Sequence, residues 1–395
     1  MNQGLLGKKS DEDMIATFIP LPKKLPKNKT TIVIDAGGTN FRSCLVSFDE
    51  NGSAKISDLR KTKMPGLVKE LSKKEFFSEI ANRIDYLKGK ANNIGFCFSY
   101  AIQMTKDGDG ILKNFSKEIK ASEVQGSAIG ASLREELCAR GWKNLQTIAL
   151  LNDTVSSLLS GFFLGENEFS SRIGFILGTG LNAAYVQKRA KGECEIIVCE
   201  SGKFSHLLQS DFDKTLDEHS VSRGASLLEK QTSGAYLGEL ARIVLNEMAN
   251  ENLFSKKCAD EMKKIENLSL IDFDIFLHKP NDKKSLLGKI ILENGNERDS
   301  LLCFQVLDAI VYRASLNAAA ILCACVLQSS EGEMPAKPVC SMCNGSTFFK
   351  TYKMQSRIEA FLETELTEKR GKYFKLCSIE NDITLGSALV PFIRV

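Results

Sequence analysis

Hydrophobic and polar positions near residue 30 predict a β-hairpin. Residues 32–34 form a β-branched apolar run, and residues 41–48 alternate between apolar and polar side chains. A continuous apolar run is typical of a strand buried on both faces, and alternation is typical of a strand with one buried face. The turn contains Gly37-Gly38-Thr39, and its glycines tolerate the sharp backbone turn that a short connection needs.

The same arrangement occurs a second time. Residues 171–187 contain an apolar strand, the turn Gly178-Thr179-Gly180 and a returning strand. Taken singly, each hairpin could be only a structural turn. Two similar units in separate halves of one chain indicate two similar domains that face a shared ligand. Backbone N–H groups of a glycine turn can approach an anion closely, so the repeat favours two phosphate-binding turns.

Strand and helix patterns alternate after the first hairpin. Strands are predicted at residues 94–99 and 146–151, and helices at 128–139 and 155–163. Residues 223–328 are predicted to be mainly helical, with residues 265–300 as polar, irregular surface segments. A final α/β section starts at residue 338 and ends with a helix at about 385–395.

This order of elements predicts an α/β fold with mixed sheets flanked by helices. The duplicated hairpin resembles the plan of actin-like ATPases and sugar kinases, which implies two actin-like (ribonuclease H-like) domains with a cleft between them. The small domain is expected to contain residues 31–152 and the C-terminal helix. Residues 1–30 and 153–384 are expected to form the large domain.

The composition is ordinary for a large globular enzyme. Of the 395 residues, 43% are hydrophobic and 26% are charged, and a chain of this length is expected to form two domains. The net charge of +3 indicates no nucleic-acid partner. The longest apolar run, residues 318–327, is too short to span a membrane, so no membrane partner is expected.

Cysteine content bears on the compartment. Twelve cysteines without a signal peptide predict reduced thiols and a cytoplasmic location. A monomer and a homodimer are both compatible with the sequence.

Polar side chains stand where the predicted elements end. Asn152-Asp153 follows a strand and opens a helix, a common position for catalytic groups in α/β proteins. Asp153 could instead merely cap the helix, because aspartate is a favoured capping residue. Other polar residues occupy comparable positions and could converge on a molecule with many hydroxyl groups; they are Ser99, Ser116, Lys117, Asn182, Glu200 and Glu239.

These motifs, in this order, resemble those of the hexokinase family across nearly the whole chain. The resemblance lies in separate segments, each similar to a family motif. They are residues 35–42 (first phosphate motif), 95–117 (sugar-binding stretch), 151–155 (catalytic aspartate), 178–185 (second phosphate motif), 233–239, and 343–346 with 385–388 (adenosine region). The first phosphate motif, Asp-Ala-Gly-Gly-Thr-Asn-Phe-Arg, differs from the family pattern by one conservative change.

The resemblance implies a role for each motif residue. Asp153 is expected to be the general base that takes the proton from the 6-hydroxyl of a hexose, with Lys117 as the second catalytic residue. Asp35 is expected to hold Mg²⁺, through water. The implied hexose-binding residues are Ser99, Ser116, Lys117, Asn152, Asp153, Asn182, Glu200 and Glu239. The implied ATP-binding residues are Gly37, Gly38, Thr39, Asn40 and Arg42 in one domain, Gly178, Thr179 and Gly180 in the other, and Gly345, Ser346 and Ser387 around adenosine.

Several segments depart from the family pattern, among them Tyr100-Ala101, which stands where Phe-Pro is usual, and Ser116, which stands where Thr is usual. Glu200-Ser-Gly-Lys-Phe-Ser-His206 stands where Glu-Trp-Gly-Ala-Phe-Gly-Asp is expected, so a large ring is lost and a charge is added. Asn344 replaces the usual aspartate, and residues 381–384 lack a glycine-rich stretch. Sugar selectivity and nucleotide preference are therefore the properties most expected to differ.

Three functions are compatible with these patterns. The first is an ATP-dependent hexokinase that phosphorylates the 6-hydroxyl of glucose, or of mannose or fructose, as the first step of glycolysis. The second is a sugar sensor with the same fold and little activity. The third is an actin-like or chaperone-type ATPase, whose ATP hydrolysis would not respond to glucose.

Overall fold

The computed structural model describes residues 1–115, 119–189 and 193–393. Its strands are β1 (Ile15–Ala16), β2 (Lys29–Ala36), β3 (Asn40–Phe48), β4 (Ala54–Lys63), β5 (Asn93–Phe98), β6 (Ala101–Met104), β7 (Gly110–Asn114), β8 (Thr147–Leu151), β9 (Ser171–Leu177), β10 (Leu181–Lys188), β11 (Cys194–Val198), β12 (Val339–Asn344) and β13 (Phe374–Cys377).

The α-helices surround and connect these strands. They are α1 (Asn2–Leu5), α2 (Lys73–Ile84), α3 (Ile129–Ala139), α4 (Asp153–Ser160), α5 (Asp211–His219), α6 (Leu227–Lys230), α7 (Leu237–Asn250), α8 (Lys256–Met262), α9 (Leu270–His278), α10 (Leu286–Asn294), α11 (Glu297–Ser329), α12 (Ser346–Lys350), α13 (Met354–Leu362) and α14 (Asp382–Ile393).

Two sheets share one strand plan. The first has the order β4-β3-β2-β5-β8, and the second has the order β11-β10-β9-β12-β13 with β1 added at its edge. In each sheet, three antiparallel strands are followed by two strands parallel to the central one. The predicted α/β class, the predicted strands at 94–99 and 146–151 and the duplicated hairpin are confirmed.

A small apolar core lies between the two sheets. Helix α4 packs on β9 and β12, and helix α14 packs on α4, β2, β5 and β8. The two helices approach very closely, because a Cβ atom on Gly386 would lie 1.8 Å from the carbonyl oxygen of Ser156. On the other side of α4, a Cβ atom on Gly174 would lie 1.9 Å from the carbonyl oxygen of Thr154. Glycine at these two positions therefore allows α4 to sit against both neighbours.

The region between β11 and β12 is mainly helical, as predicted, but residues 265–300 are not irregular. They contain α9, α10 and the start of α11, and Phe273, Phe276 and Leu287 are buried in the core of the second sheet. Each nine-residue helix begins after a capping serine, Ser269 or Ser285. Helices this short carry too few turns for a periodic pattern to stand out between polar connections.

The apolar run at 318–327 belongs to α11, which has 33 residues and is long and apolar enough, by those two criteria, to cross a membrane. In this structure 56% of its most apolar window is buried within the protein. The helix packs against β10 and α13. Arg313 on α11 donates two hydrogen bonds of 2.8 Å to Asp213, so its charge is paired inside the fold. These contacts are those of a core helix.

The N-terminal segment joins the second sheet. Ile15 and Ala16 pair with Val198 and Ile197 of β11. The first sheet contains only residues between 29 and 151. The predicted domain boundaries themselves stay a prediction.

Candidate active site

The junction of β8 and α4 places two predicted residues at the carboxyl edge of the first sheet. The side chain of Asn152, not that of Asp153, caps α4: its Oδ1 accepts a hydrogen bond of 2.9 Å from the N–H of Val155. Asp153 is the first helical residue, and its Oδ1 accepts from the N–H of Thr154 at 2.8 Å. Because the cap is already supplied, helix capping does not explain an aspartate at position 153.

The first glycine turn lies at the same edge, between β2 and β3. The N–H of Gly37 donates to the carbonyl oxygen of Asn40 at 3.1 Å, which closes the turn. The hydroxyl of Tyr100 donates to the carbonyl oxygen of Gly37 at 2.9 Å. Burial, and then the charge of Asp35, raise the pKa of Tyr100, so the phenol keeps its proton and remains a donor. Tyr100 thus holds the turn in place from the neighbouring strand end.

Strand register brings the predicted metal-binding and catalytic carboxylates to one edge. Asp35 pairs with Cys97, and Cys97 pairs with Leu151, two residues before Asp153. Burial, followed by the charges of Asp35 and Asp153, raises the pKa of the Cys97 thiol. Burial also raises the pKa of Asp35, although Arg42 Nη1, 3.2 Å from its Oδ2, opposes that effect. A cation near Asp35 would lower the pKa of this carboxyl and so offset the effect of burial.

The second glycine turn contacts the predicted adenosine region. The N–H of Gly178 donates to the carbonyl oxygen of Gly180 at 3.0 Å, and the carbonyl oxygen of Gly178 accepts from Thr347 Oγ1 at 2.9 Å. Gly345 has a φ of 116°, and a Cβ atom there would lie 2.1 Å from the carbonyl oxygen of Leu177. The turn after β9 and the turn after β12 therefore lie against each other, and only glycine fits at position 345.

A cavity of about 330 Å³ lies between the two sheets, and Tyr100, which contacts the first glycine turn, is part of its wall. Asn152 and Glu200 line it from opposite sheets. Asn182 Nδ2 donates to Glu200 Oε1 at 2.8 Å, which orients that carboxylate. Much of the remaining wall is apolar and comes from β1 and the β6–β7 hairpin. This wall suits a ligand with hydroxyl groups on one side and a C–H surface on the other.

The other predicted phosphate and nucleotide residues lie on the surface of the same strand ends. Those exposed to solvent are Thr39, Asn40, Arg42, Thr179 and Ser346; those partly exposed are Ser99, Asp35, Gly37, Gly38, Gly180, Asn182 and Gly345. They lie at or just after the carboxyl ends of β2, β5, β9 or β12, or within the first three residues of the strand that returns from such an end. This is where ligands bind in open α/β sheets.

Of the described residues that were predicted to bind the hexose, only Asn152 and Glu200 line the cavity. Glu239 and Ser387 make other contacts. Both carboxylate oxygens of Glu239 accept hydrogen bonds from Arg242, at 2.6 and 2.7 Å, on the first turn of α7. Ser387 is fully buried, and its hydroxyl donates to the carbonyl oxygen of Ile383 at 2.6 Å and lies 3.0 Å from Ser156 Oγ. The assignment of Ser387 to an adenosine pocket is therefore corrected: it packs α14 against α4. Ser116 and Lys117 lie outside the described residues.

Two family models, both described as Hexokinase, match residues 1–163 and residues 172–393. The chain belongs to the hexokinase family. Human Hexokinase-2 is 31% identical over 270 residues, which are 63% of this chain and 29% of that protein. Human Hexokinase-3 is 27% identical over 392 residues, 93% of this chain and 42% of that protein. The chain thus spans less than half the length of these hexokinases.

Solved structures of kinases share the fold. A hexokinase from Schistosoma mansoni, complexed with glucose, superposes with a TM-score of 0.78 at 22% identity, covering 97% of this chain and 89% of that one. A ROK family glucokinase from Streptomyces griseus, in complex with glucose and AMPPNP, has a TM-score of 0.52 at 14% identity, covering 91% and 98%. The predicted actin-like architecture is confirmed.

The structure locates the departures from the hexokinase pattern around Glu200. Ser201, in the place of the family tryptophan, is fully buried, and its hydroxyl has no hydrogen-bond partner among the described residues. Lys203 Nζ lies 2.5 Å from Asp13 Oδ2 and 3.8 Å from Glu200 Oε2. A lysine absent from the family pattern therefore joins the N-terminal segment to the cavity wall.

Sequence reasoning missed the parts that Tyr100 and Lys203 play in this hexokinase site. Both residues line the cavity. Each was visible only as a departure from the family pattern, an aromatic ring with a hydroxyl in one case and an added charge in the other. Neither departure indicates its contact, because both partners, Gly37 and Asp13, are distant in sequence.

Proposed function

We propose that this protein is an ATP-dependent hexokinase that phosphorylates the 6-hydroxyl of glucose, or of a related hexose, in the cytoplasm as the first step of glycolysis. The observation that carries the proposal is the position of Asp153. It opens α4 beside Asn152 in the cavity wall, and its charge acts on the same thiol as that of Asp35. A carboxylate there can accept the proton of a hydroxyl group in the cavity while the oxygen of that group attacks a phosphate at the glycine turns.

The proposed chemistry needs one proton transfer. The carboxylate of Asp153 accepts the proton of the 6-hydroxyl as that oxygen attacks the γ-phosphorus, and the bond from phosphorus to the β-bridging oxygen breaks to release ADP. The products are hexose 6-phosphate and ADP. Asn152, Asn182 and Glu200 orient the sugar, which supplies the positioning on which phosphoryl transfer depends.

The backbone of the two turns would surround the triphosphate. Gly37 and Gly38 face it from one sheet, and Gly178 and Gly180 face it from the other. Asp35 fits a magnesium ion because its carboxylate stands next to the end of β2, two residues before Gly37, and Mg²⁺ is bound by carboxylate oxygens together with phosphates. When bound, such an ion neutralises the charge of the phosphates.

A substrate panel tests the proposal. Glucose, mannose, fructose, glucosamine and N-acetylglucosamine are each assayed with ATP and Mg²⁺, and ADP formation is measured. We expect ADP formation to require a hexose and to be fastest with glucose. ADP formation that is independent of any sugar would favour the actin-like ATPase. Glucose binding without ADP formation would favour the sugar sensor.

Glu200 supplies a second prediction. Glu200→Gln keeps the size of the side chain and the oxygen that accepts from Asn182, but removes the charge. Because hydrogen bonds to a charged acceptor contribute about 1.5–3 kcal/mol, we expect the dissociation constant for glucose to rise about 10- to 100-fold. Isothermal titration calorimetry without nucleotide measures it directly.

Glu195→Gln is the matched control for this measurement. Glu195 lies on β11, the strand that leads to Glu200, and pairs with Arg189 outside the cavity. We expect its glucose affinity to equal that of the wild type. Equal affinities of the Glu200 variant and the wild type would remove Glu200 from the sugar site.

A further inference from the structure

The first residue of α14, Asp382, carries a buried carboxylate that is only partly satisfied. Asp382 is only 5% exposed to solvent. Oδ1 accepts a hydrogen bond of 2.6 Å from Asn344 Nδ2, whereas Oδ2 is buried and has no hydrogen-bond partner among the described residues. Nor does any described lysine or arginine form an ion pair with it. A buried carboxylate with one unpartnered oxygen is energetically unfavourable unless a ligand binds that oxygen.

Asp382 lies where the predicted nucleotide segments meet. Its partner Asn344 ends β12, and the next residue, Gly345, contacts the turn at Gly178. From the other side, α14 packs against β2, which carries Asp35 near its end. Asp382 is therefore placed between the turn of the second sheet and the carboxylate of the first.

The electrostatics of the two carboxylates agree with this placement. Burial raises the pKa of Asp382, while the hydrogen bond from Asn344 opposes that effect. At Asp35, burial is again the largest cause of a raised pKa, and the charge of Asp382 raises it further. A carboxylate whose ionised form is disfavoured by a second buried carboxylate would be stabilised by a divalent cation between the two.

The sequence around Asp382 departs from the family pattern in a matching way. Where the family has an aspartate, this chain has Asn344, and where the family is glycine-rich, this chain has Asp382. The hydrogen bond between these two side chains joins both departures. In this chain the negative charge of the Asn344–Asp382 pair is therefore carried by α14 and not by the end of β12.

We propose that Asp382 is a second carboxylate of the divalent-cation site, which binds the cation of the metal–nucleotide complex together with Asp35. This inference rests on the nucleotide site of the proposed function. The described residues contain no cluster of three or more histidine, cysteine, aspartate or glutamate side chains fit to hold a metal ion by themselves. Phosphate oxygens and water would complete the coordination, as is usual for Mg²⁺. Nucleotide binding should consequently depend strongly on the metal.

The variant Asp382→Asn keeps the size of the side chain and an oxygen that can accept from Asn344, but removes the charge. We expect the affinity of the protein–ADP complex for Mn²⁺, measured by electron paramagnetic resonance, to fall about 10- to 100-fold, the range seen when a group that supports a metal site is removed. We also expect ADP in EDTA to bind about 3- to 10-fold more tightly, because one charge that repels phosphate is gone.

Two further variants make the test decisive. Asp382→Ser keeps a side-chain oxygen without the charge and should produce the same two shifts. Asp299→Asn alters a buried carboxylate near the start of α11 whose oxygens are satisfied by Ser255 and Asn296, and it should change neither affinity. If wild-type protein binds Mn²⁺–ADP and both Asp382 variants bind Mn²⁺ as the wild type does, this inference is overturned and the proposed function stands. If the wild type binds no ADP with or without Mn²⁺, the proposed function is overturned together with it.

Discussion

Replacing Asp153 with alanine should lower the turnover number for hexose phosphorylation about 10²–10⁴-fold, the usual effect of losing a general base. The helix that carries it should remain intact, because Asn152 supplies the cap of α4. Glucose binding should remain measurable, since Asn152 and Glu200 still line the cavity. Turnover in a coupled assay and glucose affinity by calorimetry are the two measurements.

The control for this variant is Asp211→Ala. Asp211 is also the first residue of a helix whose preceding residue, Ser210, supplies the cap, but it lies on the surface at α5. Its turnover should equal that of the wild type. An Asp153 variant with near-normal turnover would reject the assignment of the base, and equal losses in both variants would point to a helix effect.

Replacing Gly386 with alanine should destabilise the fold by about 3 kcal/mol or more, at the upper end of overpacking effects. The added Cβ atom would lie 1.8 Å from the carbonyl oxygen of Ser156, which is backbone and cannot rotate away. Helix α14 would have to separate from α4. The free energy of unfolding from urea titration measures this, and activity should fall too because α4 carries Asp153.

Gly89→Ala provides the comparison. Gly89 has a φ of +77° and nothing within 4 Å of its added Cβ atom, so only backbone strain of about 1–2 kcal/mol is expected. An unfolding free energy of the Gly386 variant equal to that of the wild type would contradict the close packing of α4 and α14.

Sequence reasoning predicted best where the signal is local. The hairpins of β2–β3 and β9–β10 follow from runs of apolar residues broken by glycine, which depend on neighbours in the chain. The helix predicted at 128–139 is confirmed as α3 for the same reason. The helices α9 and α10 were missed because nine residues show little periodicity and their burial comes from contacts with α7, α8 and α11.

The sequence predicted which residues belong to the site, but only part of how they are arranged in space. The motifs indicated Asn152, Glu200 and Asn182, and the structure brings these three together through the cavity and one hydrogen bond. Ser387 was misplaced because a motif cannot show that a helix turns its hydroxyl toward another helix. Glu239 was expected near the sugar, but Arg242, three residues later on α7, occupies both its oxygens.

The sequence by itself determined the duplicated strand–turn–strand plan, the α/β class, the hexokinase resemblance and the identity of Asp153 as the base to test. These depend on residue type and short-range spacing. Only the tertiary structure decided that Tyr100 holds the first glycine turn and that Asp382 is buried beside Asn344. Each of these is a contact between segments far apart in the chain, and burial and charge act through space, so no spacing along the sequence encodes them directly.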